Sequence, residues 1–151
     1  MVDPGAQEGC TGTTAYHAWK DSLAAVGLKP REIDVPPNMD CGGVGGGARV
    51  AIMADMPVGV ARVNGILRMH VLEDKPGHEV PTLVPVNFLR AMKAVMDMDE
   101  GSLEFKAANA KTTMKSLPSG HYEISLMQFD DGGWHVPEHA EDVFPNEEFK
   151  L

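Results

Sequence analysis

The sequence is short of positive charge, of cysteine and of long apolar runs, and each shortage excludes something. Only 13 Lys and Arg stand against 22 Asp and Glu, a net of −9, and the basic residues form no cluster. Binding to nucleic acid or to an anionic membrane surface gains its affinity from clustered cations, so neither partner is expected. No apolar run approaches the ~20 residues that cross a bilayer, and no basic-then-apolar leader opens the chain. A soluble, intracellular protein is the expectation, with the cytoplasm as its compartment. Two cysteines, Cys10 and Cys41, do not make a disulfide scaffold and fit reduced thiols, although one bond between them stays open. What remains, 151 residues with 43% hydrophobic content, suits one domain with a sizeable core, or a smaller domain plus a tail.

Along the chain the hydrophobic period changes. From Thr13 to Gly27 the positions Ala15, Ala18, Trp19, Leu23 and Val26 share a helical face, with Thr13 or Thr14 as cap and Gly27 then Pro30 at the end. KPREIDVPPNMD reads as a polar connection. Gly42 to Gly47 then place five glycines in six positions, as a loop or hairpin tip would. In NGILRMHVLE, Leu67, Met69 and Val71 alternate with Arg68 and His70, a half-buried strand, and Asn64-Gly65 favours a tight hairpin turn before it. VPTLVPVNFLRAMKAVMDM is a short apolar strand entering a helix, with Pro85 in its first turn and Phe88, Leu89 and Met92 inward. DEGS is a turn; TTMKSL and YEISLMQF are strands around PSGH. The fold expected is mainly β with two short helices. Residues 1–129 form its domain, and 130–151 are an acidic, proline-broken tail, surface-lying or loose.

Four constellations compete for chemistry. His135-Val-Pro-Glu138-His139 matches H-x-x-E-H, but Pro137 breaks the helix that would put both imidazoles on one face, so no metal is expected. Gly43-Val44-Gly45-Gly46-Gly47-Ala48 fits a dinucleotide fingerprint, with Glu73 and Asp74 further on, but RVAIMADM after it alternates like a strand where a helix is required. No cofactor is expected. Cys10 and His17 lack the surroundings of a nucleophile pair and leave Cys10 a loop thiol. An aspartyl dyad, two carboxylates sharing one proton, needs Asp held in tight backbone as D-x-G. That pattern starts at Asp3, Asp40, Asp99, Asp130 and Asp131, with no Ser or Thr in the middle of any copy.

The order of features is more specific than any one of them. V-D-P-G-A-Q, then a helix, then G-V-G-G-G-A-R-V, then L-V-P-V-N-F-L…K-A-V-M-D-M, resembles a retropepsin-like aspartic peptidase domain of retroelement polyproteins, over roughly residues 2–129. The resemblance implies that Asp3 is the catalytic carboxylate and that Gly5 lets backbone approach it. It implies that Gly43, Val44, Gly45, Gly46 and Gly47 form the substrate-binding flap. It also implies a homodimer, because one such loop holds half a dyad, and a peptide or polyprotein substrate. The chain departs from the family at three places. Pro4 replaces the Ser or Thr whose hydroxyl stiffens the loop. The strand and hairpin that precede the loop in the family do not precede Asp3 here. Lys93 stands where a glycine is usual, and DKPGHE lengthens the preceding turn. An endopeptidase with weak or lost activity is the expectation, with a non-catalytic dimerisation or peptide-binding module, a retroelement remnant, as its alternative.

Overall fold

A computed structural model describes residues 1, 9–41, 48–138, 140 and 146–151. Among the described residues the fold is mainly β with two α-helices, as expected. Its centre is the hairpin of β4 (Ala48–Val60) and β5 (Val63–Leu72), paired from Val50↔Leu72 to Val60↔Val63 with a bulge between Val50 and Ile52. Strand β1 (Cys10–Gly12) runs parallel to β5, Cys10 opposite His70, while β2 (Arg31–Ile33) lies antiparallel to β4. The sheet order is β1-β5-β4-β2, with β3 (Asp40–Cys41) joining β4 off that path. A second sheet, β6 (Ala94–Asp97), β7 (Ser102–Phe105) and β8 (Ala110–Thr113), follows α2 (Val86–Ala91). A two-stranded hairpin of β9 (Lys115–Ser116) and β10 (Tyr122–Glu123) comes next.

Alternation in β5 is as read: Leu67, Met69 and Val71 are buried with Ala54, Met56 and Val58 of β4, and helix α1 (Thr13–Ala24) covers them. The face of that helix differs from the one expected. Tyr16, Trp19 and Leu23 are buried, whereas Ala18 is exposed and Val26 is 55% exposed beyond the helix end. An i, i+3, i+7 stripe containing the two aromatics buries more area than the alanine stripe beside it, and area decides. Neither Thr13 nor Thr14 caps the helix through its own side chain. At the far end Gly27, at φ +76°, reverses the chain so that Leu28 N–H donates to Leu23 O at 2.9 Å, as anticipated.

Three connections fall elsewhere than expected. KPREIDVPPNMD is not all connection, since Arg31–Ile33 is β2. The hairpin turn sits at Ala61-Arg62, both left-handed at φ 52° and 64°, and Asn64-Gly65 lies inside the ladder opposite Gly59 and Val58. Asn64 instead holds the C-terminal segment: its Oδ1 accepts from Asp130 N–H at 3.1 Å and its Nδ2 donates to Gly133 O at 3.1 Å. Pro85 occupies the cap of α2 rather than its first turn.

The acidic stretch after Phe129 is not loose where it is described. Trp134, Val136 and Phe149 are buried in the same cluster as Trp19 and Leu23. Trp134 Nε1 donates to Gly65 O at 3.2 Å, and its ring meets Phe149 at 5.5 Å between centroids. Lys29 N–H donates to Phe149 O at 3.0 Å. Charge and proline count describe the outer side of this segment, while three large side chains set its position.

Candidate active site

Asp3, Gly5 and the run Gly43, Val44, Gly45, Gly46, Gly47 lie outside the described residues. The structure gives the frame on either side of each. Residues 82–84 run as a short extended segment, and Met1 and Cys10, which flank residues 2–8 in the sequence, bond to it on opposite edges. On one edge Met1 N donates to Thr82 O at 2.6 Å and Val84 N–H donates to Met1 O at 2.8 Å. On the other edge Leu83 N–H donates to Cys10 O at 2.8 Å and Cys10 N–H to Leu83 O at 3.4 Å. Leu83 therefore sits between Met1 on one side and Cys10 on the other. Gly9 O accepts from His70 N–H at 2.9 Å, which ties the residue before β1 to β5. Cys10 is a buried strand residue at 1% exposure, not the loop thiol expected, because β1 is sandwiched between β5 and Leu83.

Behind this frame a hydrogen-bonded anchor fixes the end of β1. Thr11, fully buried, shares a 2.8 Å hydrogen bond with the Thr82 hydroxyl. Asp74 caps α1 from a distance: its Oδ2 accepts from Thr14 N–H at 3.0 Å and from the Thr13 hydroxyl at 3.1 Å, and its Oδ1 accepts from Val80 N–H at 3.0 Å. The carboxylate thus satisfies a helix donor that no local side chain reaches. These bonds, Val80 first and Thr14 next, hold its pKa down at about 2. Gly12 is required here, since a Cβ would lie 2.2 Å from Asp74 Oδ1 and 2.6 Å from Val80 O. The inserted DKPGHE is therefore an ordered turn, with Gly77 at φ +75° and His78 N–H donating to Lys75 O at 2.9 Å.

The glycine-rich run joins two antiparallel legs. Asp40 pairs with Arg49 and Cys41 with Ala48, and Val50 N–H donates to Met39 O at 2.8 Å. The run leads into the 13-residue strand β4, so the dinucleotide fingerprint lacks its helix. His135 and Glu138 lie in irregular backbone, His139 is outside the described residues, and no group of three possible metal ligands converges among the described residues. Among the described residues no helix is long and apolar enough to cross a membrane.

Two features of this region were missed in the sequence. One is the Asp74 cap, whose signal was only an acidic residue in an insertion. The other is Asp55, 1% exposed in the middle of β4, opposite Arg68 of β5 and Arg31 of β2. Arg68 makes a two-pronged contact with it at 2.9 and 3.1 Å, and Arg31 approaches to 3.4 Å. The Arg68 guanidinium is pushed up in pKa, chiefly by that hydrogen bonding. Arg31 also reaches Glu148 at 2.6 Å, so the line of charges links the sheet to the C-terminal segment. An aspartate breaking the apolar stretch RVAIMADM was the available signal.

No family model matches the chain, and no curated protein matches it. A solved structure is similar. The crystal structure of the retroviral protease-like domain of Ddi1 from Leishmania major shares 21% sequence identity with this chain, over 73% of this chain and 79% of that one, with a TM-score of 0.46.

Proposed function

We propose that this chain is a retropepsin-like aspartic endopeptidase domain in which Asp3 supplies one carboxylate of a dyad and a second copy supplies the other. The observation that carries this reading is the clamping of residues 82–84 between Met1 and Cys10, which flank the Asp3 motif in the sequence. Such a base pins the residues before and after the Asp3 motif by backbone bonds on both sides, which is what a catalytic carboxylate in tight backbone needs. The glycine-rich run between the legs of β3 and β4 supports a flap, as a hairpin tip able to close over an extended peptide. In the dimer one carboxylate takes a proton from water as it attacks the peptide carbonyl, and the partner carboxyl gives its proton to the carbonyl oxygen. The substrate is a peptide or a polyprotein segment, and no cofactor or metal takes part.

Pro4 weakens this machinery. It has neither a hydroxyl nor an N–H to stiffen the loop, and it restricts Asp3 toward extended backbone. That substitution favours a second reading, in which the domain binds peptides or joins two copies without turnover. Cleavage of a mixed peptide library, followed by mass spectrometry at mildly acidic pH, separates the two. The native chain, Pro4→Thr and Asp3→Asn are run side by side, with and without a statine-type inhibitor. Inhibitor-sensitive cleavage that rises in Pro4→Thr and vanishes in Asp3→Asn is the expected result. Silence from both the native chain and Pro4→Thr, with peptides still bound, selects the non-catalytic module.

A further inference from the structure

A cavity of about 510 Å³ opens beside the clamp, between α1, residues 81–82 with Met1, and the segment 117–127. Its size falls in the ~300–1,000 Å³ range of sites that enclose a ligand. Three observations identify what it would take. First, the walls are apolar, with Trp19, Leu117, Ile124, Leu126 and Met127 foremost. Of the polar groups among them, the Thr82 hydroxyl is engaged with Thr11 and the Ser119 hydroxyl with His121 at 3.1 Å, while the buried Trp19 Nε1 has no hydrogen-bond partner among the described residues. Second, the charged side chain on the lining is Glu123, whose carboxylate is 43% exposed and 3.7 Å from a Lys115 ammonium that is itself 78% exposed. A pair so solvated leaves the carboxylate available to a second cation, in a chain whose net charge is −9. Third, Glu123 belongs to β10, and among the described residues β10 pairs with β9 on one edge and with no strand on the other. The unpaired edge of so short a strand presents the backbone N–H and C=O of one residue, a donor–acceptor pair that one residue of an extended polypeptide matches.

We propose that this cavity is an auxiliary peptide site, in which an extended segment adds to the open edge of β10, drops a bulky apolar side chain against Trp19 and Met127, and places a lysine or arginine on Glu123. The site goes beyond the peptidase reading and does not involve Asp3.

The test is fluorescence anisotropy with the full chain and a fluorescein-labelled hexapeptide carrying one arginine followed by leucine, phenylalanine and valine. Saturable binding is expected, weakened several-fold in Glu123→Lys and in a peptide with glutamate for the arginine. Ala15→Phe, which fills the cavity from α1, is expected to weaken binding about tenfold or more, a loss of about 1.4 kcal/mol or more. Asp3→Asn is expected to bind like the native chain, so loss of peptidase activity and loss of this site are read separately. The proposal is overturned if the peptide does not saturate, or if Ala15→Phe and Glu123→Lys both bind as the native chain does. Melting curves confirm folding, and Glu123→Lys, on an exposed side chain, decides the matter should Ala15→Phe fail to fold.

Discussion

The β4–β5 hairpin and the segment after Phe129 make an instructive pair, because they contribute to one core by opposite means. The hairpin does it by period. Every second residue of β5 from Leu67 to Val71 faces inward, so a shift of one position would expose all three. The C-terminal segment has no period and many charges, yet it places Trp134, Val136 and Phe149 against Trp19 and Leu23. Just before it Gln128 N–H donates to Gly59 O at 2.9 Å, and the segment itself is held where Asn64 bonds to Asp130 and Gly133 and where Phe149 O accepts from Lys29. Gly59 is needed at the first of these, as a Cβ there would lie 2.6 Å from the Gln128 backbone. A regular strand spreads its stabilisation over many equivalent residues, whereas an irregular segment concentrates it in a few anchors.

That contrast breaks most visibly at Phe149. Truncation to Ala at this fully buried ring is expected to cost about 3–5 kcal/mol, read as a loss of denaturation midpoint. A cost under about 1 kcal/mol would mean that the segment is a tail after all. The next effect concerns the Asp74 anchor and depends on pH. Its folded pKa, about 2, lies below the ordinary 3.8, so its contribution is present above about pH 4 and fades as pH falls toward 2. Asp74→Ala is therefore expected to melt lower than the native chain at pH 6, with the gap narrowing between pH 4 and 2. A gap that stayed constant across that range would remove the carboxylate from the account. The smallest effect is a gain. Lys93 ends α2 at φ +50°, a left-handed conformation that costs a side-chain-bearing residue about 1 kcal/mol. Lys93→Gly is expected to raise stability by about 0.5–1 kcal/mol, measured by urea denaturation, and a loss of stability would show that the lysine's stem contributes more than its backbone strain costs.

Legibility divided along the same line. Strand β5, the DEGS turn, the helix after β1 and the helix after Pro85 could be read because hydrophobic period and turn residues are local signals. The turn at Ala61-Arg62 could not, because neither residue announces positive φ and the Asn-Gly pair nearby has a long-range task. Nor could the face of α1, which depends on what the sheet offers to Tyr16 and Trp19. Of the candidate site, Asp3, Gly5 and the flap residues Gly43 to Gly47 were named from motif order alone. The clamp of residues 82–84 between Met1 and Cys10 was invisible, since backbone bonds carry no side-chain signature.

By itself the sequence determined the class of the fold, the two helices, the inward face of β5 and the order of glycine-rich and acidic motifs, because each depends on chemistry within a few neighbouring residues. Tertiary structure decided that an acidic stretch supplies three core residues, that Asp74 caps a helix sixty residues before it, and that Leu83 lies between Met1 and Cys10. Those outcomes rest on contacts between distant positions, where the energy belongs to the pair and neither partner carries it alone.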